Sequence, residues 1–285
     1  MLVRREELPR YAPGAQAKTV TQAQTEMNWD AQTLWESLAP GLTGFTVEIQ
    51  PETDSTNSEL MRRAKAGQTA PLLLVAEHQT AGRGRLGRTW RDGGQSAKPS
   101  VLMFSLGLQL TPASWSGLSL AVGLGVATSL HPALRLKWPN DIYWEERKLG
   151  GILIETMALP GRRRYAVIGV GINISMLDAH GLSTLPAWLQ ELVPGIDAAG
   201  ALRCIAAPLV SVAKQFEQSG FAPFQAPFNR LDALDRRAVT LSDGASGIAQ
   251  GVDETGALRV LTASGMVKIT SSEISVRPQV PAHRD

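Results

Sequence analysis

Four short segments of the chain combine charged, amide and glycine residues in patterns that could do chemistry. The densest is Gly82-Arg83-Gly84-Arg85-Leu86-Gly87-Arg88, joined by Arg91, with no carboxylate until Asp92. Glycine lets a backbone bend close to a ligand, and guanidinium forks suit phosphate or carboxylate oxygens. The same letters also describe a solvated loop of surface arginines. The second segment is Lys137-Trp138-Pro139-Asn140-Asp141. Pro139 has no N–H and stops the strand before it, leaving an amide and a carboxylate at the strand end. They could hold a base edge, a metal-bound phosphate or an amine, or form a plain Asn-Asp turn. In Lys148-Leu149-Gly150-Gly151 a lysine heads an apolar strand, where it could pin an anion or close a hairpin. In Gly169-Val170-Gly171-Ile172-Asn173 two glycines interrupt an apolar strand. Such glycines mark either a close ligand or backbone approach or a bulge.

The joint occurrence is more informative than any member. It supplies anion-binding cations, an amide–acid pair and two strand-borne glycine windows. The loop matches G-x-G-x-x-G by letters, but a dinucleotide fingerprint opens a helix and has an acid about twenty positions on. Here TWRDGGQSAKPS follows, and residues 99–134 contain no Asp, Glu, Lys or Arg. A Walker A lysine and a nucleophile elbow are absent, and His78, His131, His180 and His283 show no zinc spacing. His78 reads as a strand-end residue and Cys204 as a core residue on the apolar face of a helix.

Positioning these segments requires a mixed set of elements. Residues 1 to about 27 lack periodicity and read as a loose tail. Leu34, Trp35 and Leu38 suit one face of a short helix ended by Pro40-Gly41. Phe45–Ile49, Leu72–His78 and Ser100–Leu108 read as strands, with a helix from the polar entrance Asp54-Ser55-Thr56-Asn57 to Gly67. Trp115–Leu130 and Ala199–Gln218 have helical spacing, and LRLKW, GGILIETM and RYAVIGVGINI are strand-like. From about Asp235 the runs AVTLSD, GIAQGVDE, ALRVLTA and MVKITS are short and alternating, as in a small antiparallel barrel or sandwich. The charge-free stretch from Pro99 to Leu134 is broken by Pro112 and reads as a buried strand and helix, not a membrane span.

Composition agrees with a soluble two-part protein. With 285 residues, 44% of them hydrophobic, there is ample material for a core. Twenty-eight basic against 26 acidic residues give a net charge of +2, too balanced for a nucleic-acid coat. Cys204 is the only cysteine, which excludes an internal disulfide and fits a reducing cytoplasm. The first residues, MLVRREELPRYAPG, lack the apolar core of a secretory signal.

In order along the chain, DSTN (54–57), EHQTAGRGRLGR (77–88), KWPNDI (137–142), KLGGILIE (148–155) and GVGIN (169–173) resemble the catalytic body of the biotin protein ligases. The resemblance runs from about residue 45 to the C-terminus. It implies an α+β fold: a mixed sheet flanked by helices, akin to class II tRNA synthetases, with a small C-terminal SH3-like β-barrel. The implied division is a tail and short helix (1–44), a catalytic domain (45–233) and the C-terminal domain (234–285). The implied activity uses biotin and ATP with Mg²⁺ to make biotinyl-5′-AMP, then transfers biotin to a lysine of a biotin carboxyl carrier domain of acetyl-CoA carboxylase. By the same resemblance, Ser55, Thr56, Asn57 and Gln79 hold the biotin head, and Arg83, Gly84 and Arg85 line its carboxylate and the phosphates. Lys148 contacts the carboxylate and α-phosphate, and Gly169 and Gly171 lie against the biotin ring. Nucleotide contacts fall to Arg83, Arg85, Arg88, Asn140 and Asn173, with Trp188 as the adenine-stacking residue. Asp141, Arg83 and Lys148 are the catalytic expectation, and no metal-ligand set is assigned. The chain departs from the pattern at Leu86, where an extra arginine often stands. A helix-turn-helix repressor domain of about 60 residues precedes some members; the 44 residues here lack its pattern, so no repressor role, nucleic acid or membrane partner is expected. A monomer or weak homodimer is expected. Rival readings are a lipoate or octanoate ligase, which needs a longer apolar tunnel, and a non-catalytic biotin-binding protein.

The chemistry explains the residue types. A carboxylate must meet a triphosphate, so cations have to neutralise two anions. The mixed anhydride must be kept from water, for which the stretch Thr80–Pro99 is the expected lid. On this basis Arg83→Ala is expected to let the adenylate leak.

Overall fold

The computed structural model describes residues 20–22, 27–92, 99–176, 186–241, 244–270 and 276–278. An eight-stranded mixed sheet forms the body. Its strands are β1 (Val20–Gln22), β2 (Thr46–Thr53), β3 (Leu72–Gln79), β4 (Val101–Leu110), β5 (Arg135–Lys137), β6 (Asp141–Trp144), β7 (Arg147–Ala158) and β8 (Arg164–Asn173). They lie in the order β1-β2-β3-β4-β8-β7-β6-β5. The pairs β1–β2 and β2–β3 are parallel and the rest antiparallel. The loose tail expected at the N-terminus is therefore corrected at Val20–Gln22, which pairs with Val47–Ile49 at the sheet edge.

Helices cover both faces. On one side lie α1 (Ala31–Leu38), α3 (Leu118–Leu130), α4 (Ala198–Ser219) and α5 (Ala222–Leu231); α2 (Thr56–Lys65) lies on the other. Asp30 caps α1 through Thr33 N, and Trp29, Leu34 and Leu38 enter the main core, so this helix packs as part of the body. Helix α3 buries nine of its residues and shows no apolar stripe, because it is enclosed by α4, α5 and the sheet. That enclosure accounts for the charge-free stretch. No helix among the described residues is long and apolar enough to cross a membrane. A second cluster, Leu60, Ala64, Leu72, Leu74, Tyr165 and Val167, seats α2 on the opposite face.

Cys204, expected in the core, is exposed. At 100° per residue it falls between Leu202 and Ile205 on the outward side of α4, while those two are buried.

The C-terminal runs form a five-stranded antiparallel sheet of β9 (Ala238–Leu241), β10 (Ser246–Val252), β11 (Leu258–Thr262), β12 (Gly265–Ile269) and β13 (Val276–Pro278) in the order β12-β11-β10-β9-β13. Its β10–β11 turn docks on the body. Trp138 Nε1 donates to Gly256 O (3.1 Å) and Ser116 Oγ to Thr255 O (2.6 Å). Ser119, in the first turn of α3, donates in turn to Pro139 O (3.0 Å), so this joint supports the segment carrying Asn140 and Asp141.

Asp232 sits where α5 hands over to the C-terminal sheet. Its Oδ1 accepts from Leu234 N (2.8 Å), while its buried Oδ2 has no hydrogen-bond partner among the described residues. Burial pushes its carboxyl up to about 6. A raised acid stabilises the fold fully below the unfolded value of about 3.9 and loses that contribution as pH rises through the folded value. Asp232→Asn is expected to flatten the loss of stability between pH 4 and 7 by about 2 kcal/mol, read as urea midpoints across that range. Parallel pH profiles for the two proteins would disprove the assignment.

Candidate active site

The α2 face of the body sheet carries an open, concave cleft, the usual form of a small-molecule site. Its floor consists of two rows across the strands. One runs Met103–Gly171–Gly151–Asp141 and the other Ser105–Gly169–Leu153, each set by direct register pairs. Glycine is needed where the walls come closest. A Cβ at Gly169 would overlap Asn57 Oδ1, and one at Gly171 would stand 2.6 Å from the Trp90 ring.

The inner end of the cleft is polar. Ser55 caps α2, which brings Thr56 and Asn57 to the sheet surface, all three buried. Gln79, at the end of β3, accepts from Thr56 N (2.7 Å) through Oε1. The Ser105 hydroxyl lies 2.7 Å from both Thr56 Oγ1 and Asn57 Oδ1. Near the helix entrance, the Arg62 guanidinium holds the Asp54 carboxyl down to about 2, and Asp54 also accepts from Ser55 N.

The outer end is charged. Lys148 Nζ and Asp141 Oδ1 form an ion pair at 2.6 Å. The side chains share a face because of a bulge. Asp141 pairs with Gly151 and Ile142 with Gly150, yet Tyr143 pairs with Lys148, so Leu149 is the extra residue. The inserted residue flips the alternation and brings Lys148 to the same side as Gly151. Arg85 points its guanidinium toward this pair: its NH1 lies 3.4 Å from Asn140 Oδ1. Burial holds its pKa below the ordinary arginine value, opposed by the Asp141 charge. Asn140 is fixed by Nδ2 donation to Ile152 O (2.8 Å).

The arginine loop closes over the cleft as a narrow hairpin. Arg83 bridges Thr89, Gly84 N donates to Arg88 O (2.7 Å), and Trp90 N donates to Gly82 O (2.9 Å). Residues 93–98 of the expected lid lie outside the described residues. Arg83 turns to the rim, where its guanidinium pairs with Glu155 (2.8 Å).

Thus Ser55, Thr56, Asn57, Gln79, Arg83, Gly84, Arg85, Arg88, Asn140, Asp141, Lys148, Gly169 and Gly171 all line one cleft. Asn173 and Trp188 do not. Asn173 is buried and its amide donates to Lys148 O (3.3 Å) and Ala187 O (3.0 Å). Trp188 stands beside Arg147, whose guanidinium lies 5.8 Å from the ring centroid. His78 lies at the end of β3, 3.4 Å from Asp92 Oδ2. His180 and His283 are outside the described residues.

The sequence reading missed Trp90 and Ser105. Trp90 carries its ring under Lys148 (5.4 Å), and its buried Nε1 lacks a partner among the described residues. Ser105 had a visible signal: a hydroxyl in the middle of an otherwise apolar run. No cluster of three or more His, Cys, Asp or Glu side chains able to hold a metal exists among the described residues.

The chain is similar to known proteins over most of its length. Residues 48–173 match the biotin/lipoate A/B protein ligase family and residues 237–277 the biotin protein ligase C-terminal domain. The chain is 36% identical over 249 residues to the bifunctional ligase/repressor BirA of Escherichia coli K12, covering 83% of this chain and 75% of that protein. It is 31% identical to the biotin–[acetyl-CoA-carboxylase] ligase of Paracoccus denitrificans, covering 78% of this chain and 97% of the relative. The biotin protein ligase of Aquifex aeolicus, solved with biotin and ATP, superposes with a TM-score of 0.68 at 29% identity, covering 82% of this chain and 99% of the other. Sequence, fold and cleft together make the chain a member of the biotin protein ligase family.

Proposed function

We propose that the protein joins biotin to ATP, releasing pyrophosphate, and passes the biotinyl group from the resulting adenylate to a lysine of a biotin carboxyl carrier domain. The observation that carries this reading is the convergence of Arg85, Asn140, Asp141 and Lys148 at one end of a cleft whose other end is polar. Thr56, Asn57, Gln79 and Ser105 offer donors and acceptors suited to a ureido ring, and Gly169 and Gly171 let Asn57 and the Trp90 ring approach the floor beside it.

The valerate carboxylate then extends toward Lys148 and Arg85. These cations offset the repulsion between carboxylate and α-phosphate, which is mainly electrostatic stabilisation of the developing charge. Among the described residues Asp141 is the one carboxylate lining this cleft, and it is already paired with Lys148. A magnesium ion accompanying the triphosphate would supply further positive charge beside the phosphates, with Asp141 the carboxylate here that could help to hold it. Arg83, Arg88 and Asn140 complete the nucleotide side in this reading. In the second step the acceptor lysine, with an ordinary pKa of about 10.4, must lose a proton, and Asp141 is the acceptor within the cleft.

The reading covers the ligase activity alone, with the carrier domain as macromolecular partner. The cytoplasm is the proposed compartment, supported by the single cysteine. A polar inner end argues against lipoate, whose dithiolane head would need an apolar one. Incubation with biotin, MgATP and a carrier domain is expected to add one biotinyl mass to the carrier lysine. An unmodified carrier under these conditions refutes the reading, and tighter calorimetric binding of lipoate than biotin replaces it with the lipoate alternative.

A further inference from the structure

We propose that Glu155 is a positioning residue that ties the arginine loop to the polar floor of the cleft; the role deepens the ligase reading and rests on it. Glu155 lies on β7 opposite Val167, one row beyond Leu153 and Gly169. Its carboxylate accepts from Asn57 Nδ2 (2.9 Å) and, through both oxygens, from Arg83 NH1 (3.2 Å) and NH2 (2.8 Å). Arg83 NH1 also donates to Ser58 Oγ (3.1 Å), so the loop is fastened to the first turn of α2 and to β7 together.

The inner partner carries the constraint into the floor. Asn57 Nδ2 donates to Leu153 O (3.2 Å) as well as to Glu155, which fixes the amide so that Oδ1 faces Ser105. From Ser105 the contacts continue to Thr56 and then to Gln79 Oε1. Gln79 N donates to Asp92 Oδ2 (3.3 Å), back on the far end of the loop. A single path of polar contacts thus starts at Arg83, crosses the cleft floor and returns at Asp92.

The two arms of Glu155 differ in strength. Arg83 is 46% exposed, and a pair in that setting is weak and easily exchanged. A carboxylate or phosphate entering the cleft can compete for the guanidinium. The Asn57 arm is buried, where an unmet polar group is costly, so it persists. Glu155 therefore parks Arg83 in the empty enzyme and keeps the Asn57 amide oriented in every state.

The test uses trypsin on the full-length protein without substrates, with cleavage after Arg85 and Arg88 followed by mass spectrometry. Glu155→Gln keeps an acceptor for Asn57 but loses the charge that holds Arg83. It is expected to speed loop cleavage about two- to fivefold. The biotin KM is expected to rise about threefold while kcat at saturating biotin stays within about twofold. In an Arg83→Ala background, Glu155→Gln is expected to add nothing to the cleavage rate, because the parked partner is already gone. A Glu155→Gln protein with parental cleavage and parental KM overturns the role, and so does an additive effect in the double variant. The cleavage arm needs no turnover, so it decides on Glu155 even if the carrier is never modified.

Discussion

Asp141→Asn is expected to bind biotin within about twofold of the parent and to lose about a thousandfold in transfer to the carrier lysine. Asp141 starts β6 and reaches Lys148 Nζ at 2.6 Å, while the polar floor that would hold the biotin head lies elsewhere in the cleft. The substitution keeps the size and one acceptor oxygen. It removes the only carboxylate that lines the cleft among the described residues, and with it the group able to take the amine proton. It also leaves Lys148 and Arg85 without the counter-charge that sets their spacing. Calorimetry with biotin and single-turnover transfer from preformed adenylate separate binding from chemistry. Parental transfer in this variant would remove Asp141 from the mechanism.

Gly169→Ala is expected to weaken biotin binding by at least about a hundredfold and to destabilise the fold by about 1–3 kcal/mol. The new methyl would occupy the position of Asn57 Oδ1. Asn57 cannot swing aside, because its amide is held by Leu153 O, Glu155 and Ser105. The accommodation must come from α2 or β8, and either movement breaks the floor. Urea unfolding reports the stability cost, and calorimetry reports the affinity. A variant that loses stability but binds biotin normally would place the ligand away from this row.

Much of the architecture was legible locally. Ser55 before an amphipathic run is a helix entrance, and Ser55 does cap α2. The alternating runs after Asp235 form the antiparallel C-terminal sheet. Glycines within the apolar strand at 169 and 171 offered a close approach or a bulge, and in the structure both face the cleft with a side chain packed close against each. Other features had no local signal. Helix α5 contains Pro223 and Pro227, which conceal its period, and its burial of Phe224 and Phe228 depends on neighbours in space. Cys204 carried an apolar identity but faces outward, since residue type does not fix the rotation of a helix on its support.

The sequence by itself determined which groups were available: four arginines near glycine, an Asn-Asp pair after proline, a lysine before two glycines, and a hydroxyl-rich helix entrance. These follow from side-chain chemistry and short-range backbone rules. Only the tertiary structure decided which of them meet. Strand register puts Gly169 beside Ser105 and Leu153, and Gly171 beside Met103 and Gly151. The bulge at Leu149 turns Lys148 onto the face of Asp141, and an exposed ion pair draws Arg83 to Glu155 while Arg85 goes inward. Register and bulges depend on pairing between strands distant in sequence, so no single segment contains the information that fixes them.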